Sequence, residues 1–309
     1  MQKKLTILTL IVIGLVSLNA YFLVTDARGL SIPYVGPVFT TAEIYVKAPL
    51  QADYLPILDT SVGNVTLDAK AAISYDVKAD KNLYEKNIDQ RLPVASLTKI
   101  LNAIVSWENF DPNAVVTVEP DAVKVDGERQ DLYAGEQISV NSLMQMMLIE
   151  SSNDAANALA DYAKTKGFDM IDAMNAKAAK LGMINTHFVD PAGLDDNGYS
   201  TAQDLAKAVT YALRYSALWN FSREPSTVVT SVDGKISHEV KATDHLLGVL
   251  SGIVGGKTGY TDGALGCMML IINIPDQNDT VVNVVLGSHE RFPDMQKLVD
   301  WVRTSYRWQ

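Results

Sequence analysis

Arg91-Leu92-Pro93-Val94-Ala95-Ser96-Leu97-Thr98-Lys99-Ile100-Leu101-Asn102-Ala103-Ile104-Val105 is the stretch on which the reading of this 309-residue chain turns. Leu97, Ile100, Leu101, Ile104 and Val105 recur with the i, i+3, i+4, i+7, i+8 spacing of a buried helical face, and Pro93 stands just before the expected start. Three residues along a helix put two side chains on the same face, so Lys99 is within reach of Ser96. A serine hydroxyl is a weak nucleophile until a base takes its proton. A lysine serves as that base only when its pKa falls well below about 10.4, which burial and a second cation both promote. Ser96 is expected in the first turn, where unpaired backbone N–H groups and the positive end of the helix dipole can hold a developing oxyanion.

Two further motifs follow in order: Ser151-Ser152-Asn153 and Lys257-Thr258-Gly259. By composition alone Ser-x-x-Lys arises roughly once in a chain this long, and Lys-Thr-Gly about 0.1 times. Their ordered occurrence, each at the edge of an expected helix or strand, makes coincidence a poor explanation. Together they describe a serine acyl-transfer site, with Lys257 as the second cation near Lys99.

The three motifs resemble the signature of penicillin-binding proteins and class A β-lactamases. The linking stretches are more specific. Leu83-Tyr84-Glu85-Lys86-Asn87, the run from Arg91 to Lys99, Leu181-Gly182-Met183-Ile184-Asn185-Thr186-His187-Phe188, Pro191, Gly193-Leu194 and Tyr199-Ser200-Thr201-Ala202 are similar to the D-alanyl-D-alanine carboxypeptidase family. The similarity runs from about residue 70 to residue 306. It implies Ser96 as nucleophile, Lys99 as general base and Ser151 as proton relay to the leaving amine. Asn153 would hold the substrate amide and orient Lys99, and Lys257 and Thr258 would bind the terminal carboxylate. Gly259 would let the strand come close, and the backbone N–H groups of Ser96 and Tyr260 would form the oxyanion hole. The implied partners are peptidoglycan stem peptides, with β-lactams as inhibitors. Neither the resemblance nor the residues call for a cofactor.

One departure discriminates within the wider group. Class A β-lactamases carry Glu-x-x-Leu-Asn between the second and third motifs, and no such run lies between Asn153 and Lys257. A long-lived penicilloyl-enzyme, not fast hydrolysis, is therefore expected. Thr243-Asp244-His245 also departs from the asparagine-rich run of the family before its paired leucines, here Leu246-Leu247. Three activities stay open: D,D-carboxypeptidase first, D,D-endopeptidase second because the same site serves both, and a non-catalytic wall-binding protein third. Arg291 is a candidate to assist carboxylate binding, beside Arg214 and Arg223.

The net charge of −10 argues against a nucleic-acid partner, so attraction of an anionic substrate must be local. Cys267, the single cysteine, lies in an apolar run and reads as a small buried hydrophobe. His187, His238, His245 and His289 lack metal-ligand spacing, and Asp190, Asp195, Asp196 and Asn197 lack the alternation of an EF-hand, so turns and caps are expected of them.

Lys3 and Lys4 precede an uncharged apolar run from Leu5 to Val24, long enough at 1.5 Å per residue to cross about 30 Å of hydrocarbon. An uncleaved membrane anchor with the body outside is expected; a secretory signal cut after Leu18-Asn19-Ala20 is the alternative. The domain reading is then 1–27 anchor or signal, 28–66 a proline-containing spacer and 67–309 the catalytic domain, with no second domain after it. Strands are expected at 71–77, 82–85, 227–232, 235–241, 265–273 and 280–286. Helices are expected at 140–149, 154–163, 170–181 and 201–214, with a last one after Pro293. Strands at both ends and helices between imply an α+β fold, an antiparallel sheet flanked by helices with an inserted all-helical lobe. The resemblance implies the same architecture, that of the serine β-lactamases and penicillin-binding proteins, with the site in the crevice between lobe and sheet.

Overall fold

The computed structural model describes residues 55–124, 132–274 and 279–308. The anchor or signal expected at 1–27 and most of the spacer lie outside the described residues. In chain order the elements are β1 (Pro56–Leu58), β2 (Ala71–Asp76), β3 (Lys81–Lys86), a 3-10 turn (Ala95–Thr98) running into α1 (Lys99–Asn109), β4 (Val115–Thr117) and β5 (Gln137–Ser139). Then come α2 (Val140–Ile149), α3 (Asn153–Thr165), α4 (Met170–Lys180), α5 (Ala202–Ala212) and α6 (Ser216–Ser222). The chain returns through β6 (Ser226–Thr230), β7 (Ser237–Lys241), β8 (Ile253–Thr261), β9 (Leu265–Ile274) and β10 (Asp279–Ser288) to α7 (Arg291–Ser305) and β11 (Tyr306–Trp308).

The central sheet has the order β3-β2-β10-β9-β8, and every neighbouring pair is antiparallel. Its two faces follow from the period of two in the sequence. Ala72, Met268, Leu270, Ile272, Val281 and Val285 pack under α7 with Met295, Leu298, Val299 and Val302. Ala71, Ile73, Cys267, Met269, Ile271, Val282, Val284 and Leu286 face the other way, into the larger core shared with α1 and the helices from α2 to α6. A sheet covered on both faces explains why β9 and β10 are buried along almost their whole length.

The expected strands and helices are present, with two differences of detail. Ser96 sits in a 3-10 turn ahead of α1, because Ala95 takes a left-handed φ of 46° and the chain enters the helix only at Lys99. The last helix starts at Arg291, before Pro293; a proline in the first turn lacks an N–H that no helical partner needed. Serine, aspartate and threonine side chains cap α2 to α5: Ser139, Ser152, Asp169 and Thr201 accept from the first-turn amides. β1 lies within the 28–66 stretch and pairs with β11, and Val65 packs under α7, so the body engages the chain from Pro56 onward.

Candidate active site

The site forms where the turn before α1, the α2–α3 connection, the 190–195 loop and β8 meet. Lys99 is fully buried, and its Nζ donates to Ser96 Oγ at 2.7 Å, to Asn153 Oδ1 at 2.7 Å and to the Ala192 carbonyl at 2.9 Å. Three acceptors around one amine fix its position. Burial pulls the Lys99 pKa down to about 7, with Asp190 opposing that shift. The amine is therefore available as a base near neutral pH, as activation of Ser96 requires.

A second serine–lysine pair faces the first. Lys257 on β8 is 1% exposed, and its Nζ donates to Ser151 Oγ at 2.7 Å and to the Thr258 carbonyl at 2.8 Å. Burial pushes its pKa well below the ordinary lysine value, and the Lys99 and Arg291 charges push the same way. Ser151 has a left-handed φ of 69°, a conformation that costs a non-glycine residue about 1–2 kcal/mol. The turn is held by the amide of Ser152 donating to Met146 and by the Ser152 hydroxyl capping α3. Ala95 and Ser151, the residues that aim the two hydroxyls, are both in this unusual region.

Gly259 shows how β8 reaches Ser96. A Cβ there would lie 2.8 Å from the Ser96 nitrogen and 3.1 Å from the Ala95 Cβ, so any side chain would push the strand off the turn. The glycine thus sets the distance between β8 and Ser96. Tyr260 follows and is 58% exposed.

The cleft has a volume of about 400 Å³ and is lined by Ser96, Ser151, Asn153, Thr258, Gly259 and Tyr260, together with Arg291, Glu150 and Thr243. All eight residues picked out in the sequence are therefore at or just beneath one cleft. Arg291 is the arginine of the three candidates that lines it; Arg214 instead lies over the Tyr211 ring at 3.9 Å.

Sequence reasoning missed three contributors. The Ala192 carbonyl accepts from Lys99 by its backbone, so no side chain signals it. Its loop is drawn together by Asp190, whose carboxylate accepts from the amides of Ala192, Gly193 and Asp195. Gly193 has a φ of 80°, and a Cβ on it would run into the Ala95 carbonyl. Thr243 is the second: its hydroxyl lies 2.6 Å from that of Thr258, beside the expected carboxylate position. Glu150, the residue before Ser151, is the third, and its type alone gave no sign of a place in the cleft wall. Cys267 is buried on β9, paired with Gly259 of β8, and burial raises its thiol to about 11. Among the described residues no group of three or more His, Cys, Asp and Glu side chains converges as a metal site would.

The D-alanyl-D-alanine carboxypeptidase family model matches residues 59–290. A D-alanyl-D-alanine carboxypeptidase of Bacillus subtilis is 30% identical over 77% of this chain, which spans 63% of that relative's length. A D-alanyl-D-alanine endopeptidase of Pseudomonas aeruginosa is 31% identical over 77% of this chain and 78% of its own. Among solved structures, the Streptomyces K15 DD-transpeptidase superposes with a TM-score of 0.73 at 28% identity, covering 79% of this chain and all of that one. With the α+β architecture, the two serine–lysine pairs and these similarities in place, the chain belongs to the D-alanyl-D-alanine carboxypeptidase family of serine peptidases.

Proposed function

We propose that the protein is a serine D,D-carboxypeptidase that removes the terminal D-alanine from peptidoglycan stem peptides through an acyl-enzyme. The observation that carries this reading is the 2.7 Å contact between a buried, low-pKa Lys99 and Ser96, with a second buried serine–lysine pair beside it. Lys99 takes the Ser96 proton as Oγ attacks the carbonyl between the two D-alanines. The backbone N–H groups of Ser96 and Tyr260 hold the oxyanion. Ser151, linked to Lys257, returns a proton to the departing amine, and water then releases the shortened peptide. Lys257, Thr258 and Arg291 hold the terminal carboxylate, which supplies the local attraction that an acidic protein needs.

Two finer readings go with it. The apolar run Leu5–Val24 behind Lys3 and Lys4 anchors the protein in the membrane with the body on the outer side; a mature chain starting near Tyr21 would replace the anchor with a cleaved signal. Among the described residues no helix is long and apolar enough to cross a membrane. D,D-endopeptidase activity is the second reading, because the same residues cut a D-alanyl cross-link and a relative of that name is equally similar. Product analysis from a stem pentapeptide and from a cross-linked dimer separates the two. Release of D-alanine well ahead of dimer cleavage is the expected result, and faster cleavage of the dimer would reverse the assignment.

A further inference from the structure

The cleft runs along β8, the last strand of the central sheet, which has β9 on one side and no strand on the other among the described residues. An extended peptide can join such a free edge through main-chain hydrogen bonds. The two ends of the edge differ in charge. Lys257 and Thr258 stand at one end, and Leu194, Thr261 and Asp262 line the other. Asp262 is exposed; its carboxylate accepts only from the Tyr260 hydroxyl, at 3.4 Å, and no lysine, arginine or histidine among the described residues pairs with it. Glu150, the other acid in the cleft wall, is 3% exposed and adjoins Ser151 at the reacting centre.

The Asp262 end is closed by contacts between two elements. Thr261 Oγ1 donates to Asp196 Oδ1 at 2.6 Å and accepts from the Ala264 amide at 3.0 Å, which clasps the 193–196 loop to the β8–β9 turn. A Cβ on Gly263 would lie 2.1 Å from Asp196 Oδ2, so the turn meets the loop with no space for a side chain between them. Leu194 and Tyr260, both exposed, put apolar surface into the same cleft. An apolar wall that ends in a carboxylate matches a side chain with an aliphatic stem and an ammonium tip.

The direction of the substrate follows from the peptidase reading above, on which this inference rests. With the terminal carboxylate at Lys257 and Thr258 and the attacked carbonyl at the Ser96 and Tyr260 amides, the rest of the peptide runs antiparallel to β8, toward Asp262. Asp262 is two residues past Tyr260, about 7 Å along a strand, within reach of a long side chain on the residue before the D-alanine pair. We propose that Asp262 is a specificity-determining residue: it takes the ammonium of a basic side chain at that position, so the preferred substrates carry a free amine on the residue ahead of D-alanyl-D-alanine. The carboxylate is exposed, so its attraction is local and of the size of a surface ion pair.

The test gives the full chain and its Asp262→Asn variant two pentapeptides that differ only at the lysine before the D-alanine pair, its ε-amine free in one and acetylated in the other. Wild type is expected to cleave the free-amine peptide with a kcat/KM about fivefold higher, the upper end for an exposed ion pair. In Asp262→Asn that ratio falls to about one, through the free-amine peptide alone, and the acetylated peptide is cleaved as by wild type. Raising the salt to about 1 M removes the wild-type preference as well, because exposed charges are then screened. A wild-type ratio of one, or a preference that survives in Asp262→Asn, overturns the proposal. Equilibrium binding of the same peptides to Ser96→Ala, with and without Asp262→Asn, gives a readout without turnover. A preference in binding that depends on Asp262 supports the role even where wild type cleaves neither peptide, in which case the activity assignment alone has failed. Equal affinity for the two peptides, or no binding of either, removes it.

Discussion

Ser96–Lys99 and Ser151–Lys257 are the same contact built in two ways. Each brings a lysine Nζ to 2.7 Å from a serine Oγ. The first pair is local, three residues apart across a 3-10 turn and the start of a helix. The second joins a loop and a strand 106 residues apart. The local pair gets its geometry from one turn and needs only burial to tune it. The distant pair depends on the whole fold: β8 must be carried to the α2–α3 connection, and Gly259 must let it in. Lys99 is also gripped by three acceptors, whereas Lys257 has two.

The largest effect is expected from breaking the local pair. Lys99→Ala should lower the rate of Ser96 acylation about 10²- to 10⁴-fold, the range that general-base catalysis supplies. Lys99 acts in its neutral form, so wild-type acylation should climb as pH rises through about 7, and stopped-flow acylation across pH should show that limb vanish in the variant. An unperturbed lysine would place the limb near 10.4, and observing it there would mean that burial does not lower the Lys99 pKa as the structure requires.

A smaller loss should follow from disturbing the distant pair's approach. Gly259→Ala puts a methyl 2.8 Å from the Ser96 nitrogen, shifting β8 and with it the oxyanion donors. Acylation should fall about 10²- to 10³-fold, the scale of one lost oxyanion-hole donor, while thermal unfolding shows the body still folded. Activity within threefold of wild type would show that the strand can yield without disturbing the donors.

The smallest effect belongs to Tyr260. Its ring is exposed and lies 6.0 Å from the Arg291 guanidinium, so Tyr260→Ala should change kcat/KM by no more than about fivefold. A loss near that of Gly259→Ala would give the side chain a role that the backbone account denies it.

The same contrast explains what could be read from sequence. Ser96 and Lys99 were legible from helical spacing, and the α1 stripe Leu97, Ile100, Leu101, Ile104 and Val105 is buried as that spacing requires. The strands expected at 265–273 and 280–286 were likewise legible, and both are present as β9 and β10. Ser151, Asn153, Lys257 and Thr258 were found only because their motifs resemble a family; no local pattern says that residues this far apart will meet. Ala192 contributes a carbonyl, which has no side-chain signature, and Thr243 gains its place from where β7 ends. Asp244 was visible as part of a run that departs from the family pattern, but not its burial against Gly256 of β8. The short pair β1 and β11 escaped notice because three-residue strands carry too few positions for a period to show.

The most direct test of the account is intact-mass measurement of the protein after incubation with benzylpenicillin, alongside Ser96→Ala. The account predicts one penicilloyl group per wild-type chain, mapped to Ser96 and persisting after free drug is removed, and no adduct in Ser96→Ala. An adduct of equal yield in the variant, or none in folded wild-type protein, would contradict the assignment of Ser96 as the acylated nucleophile.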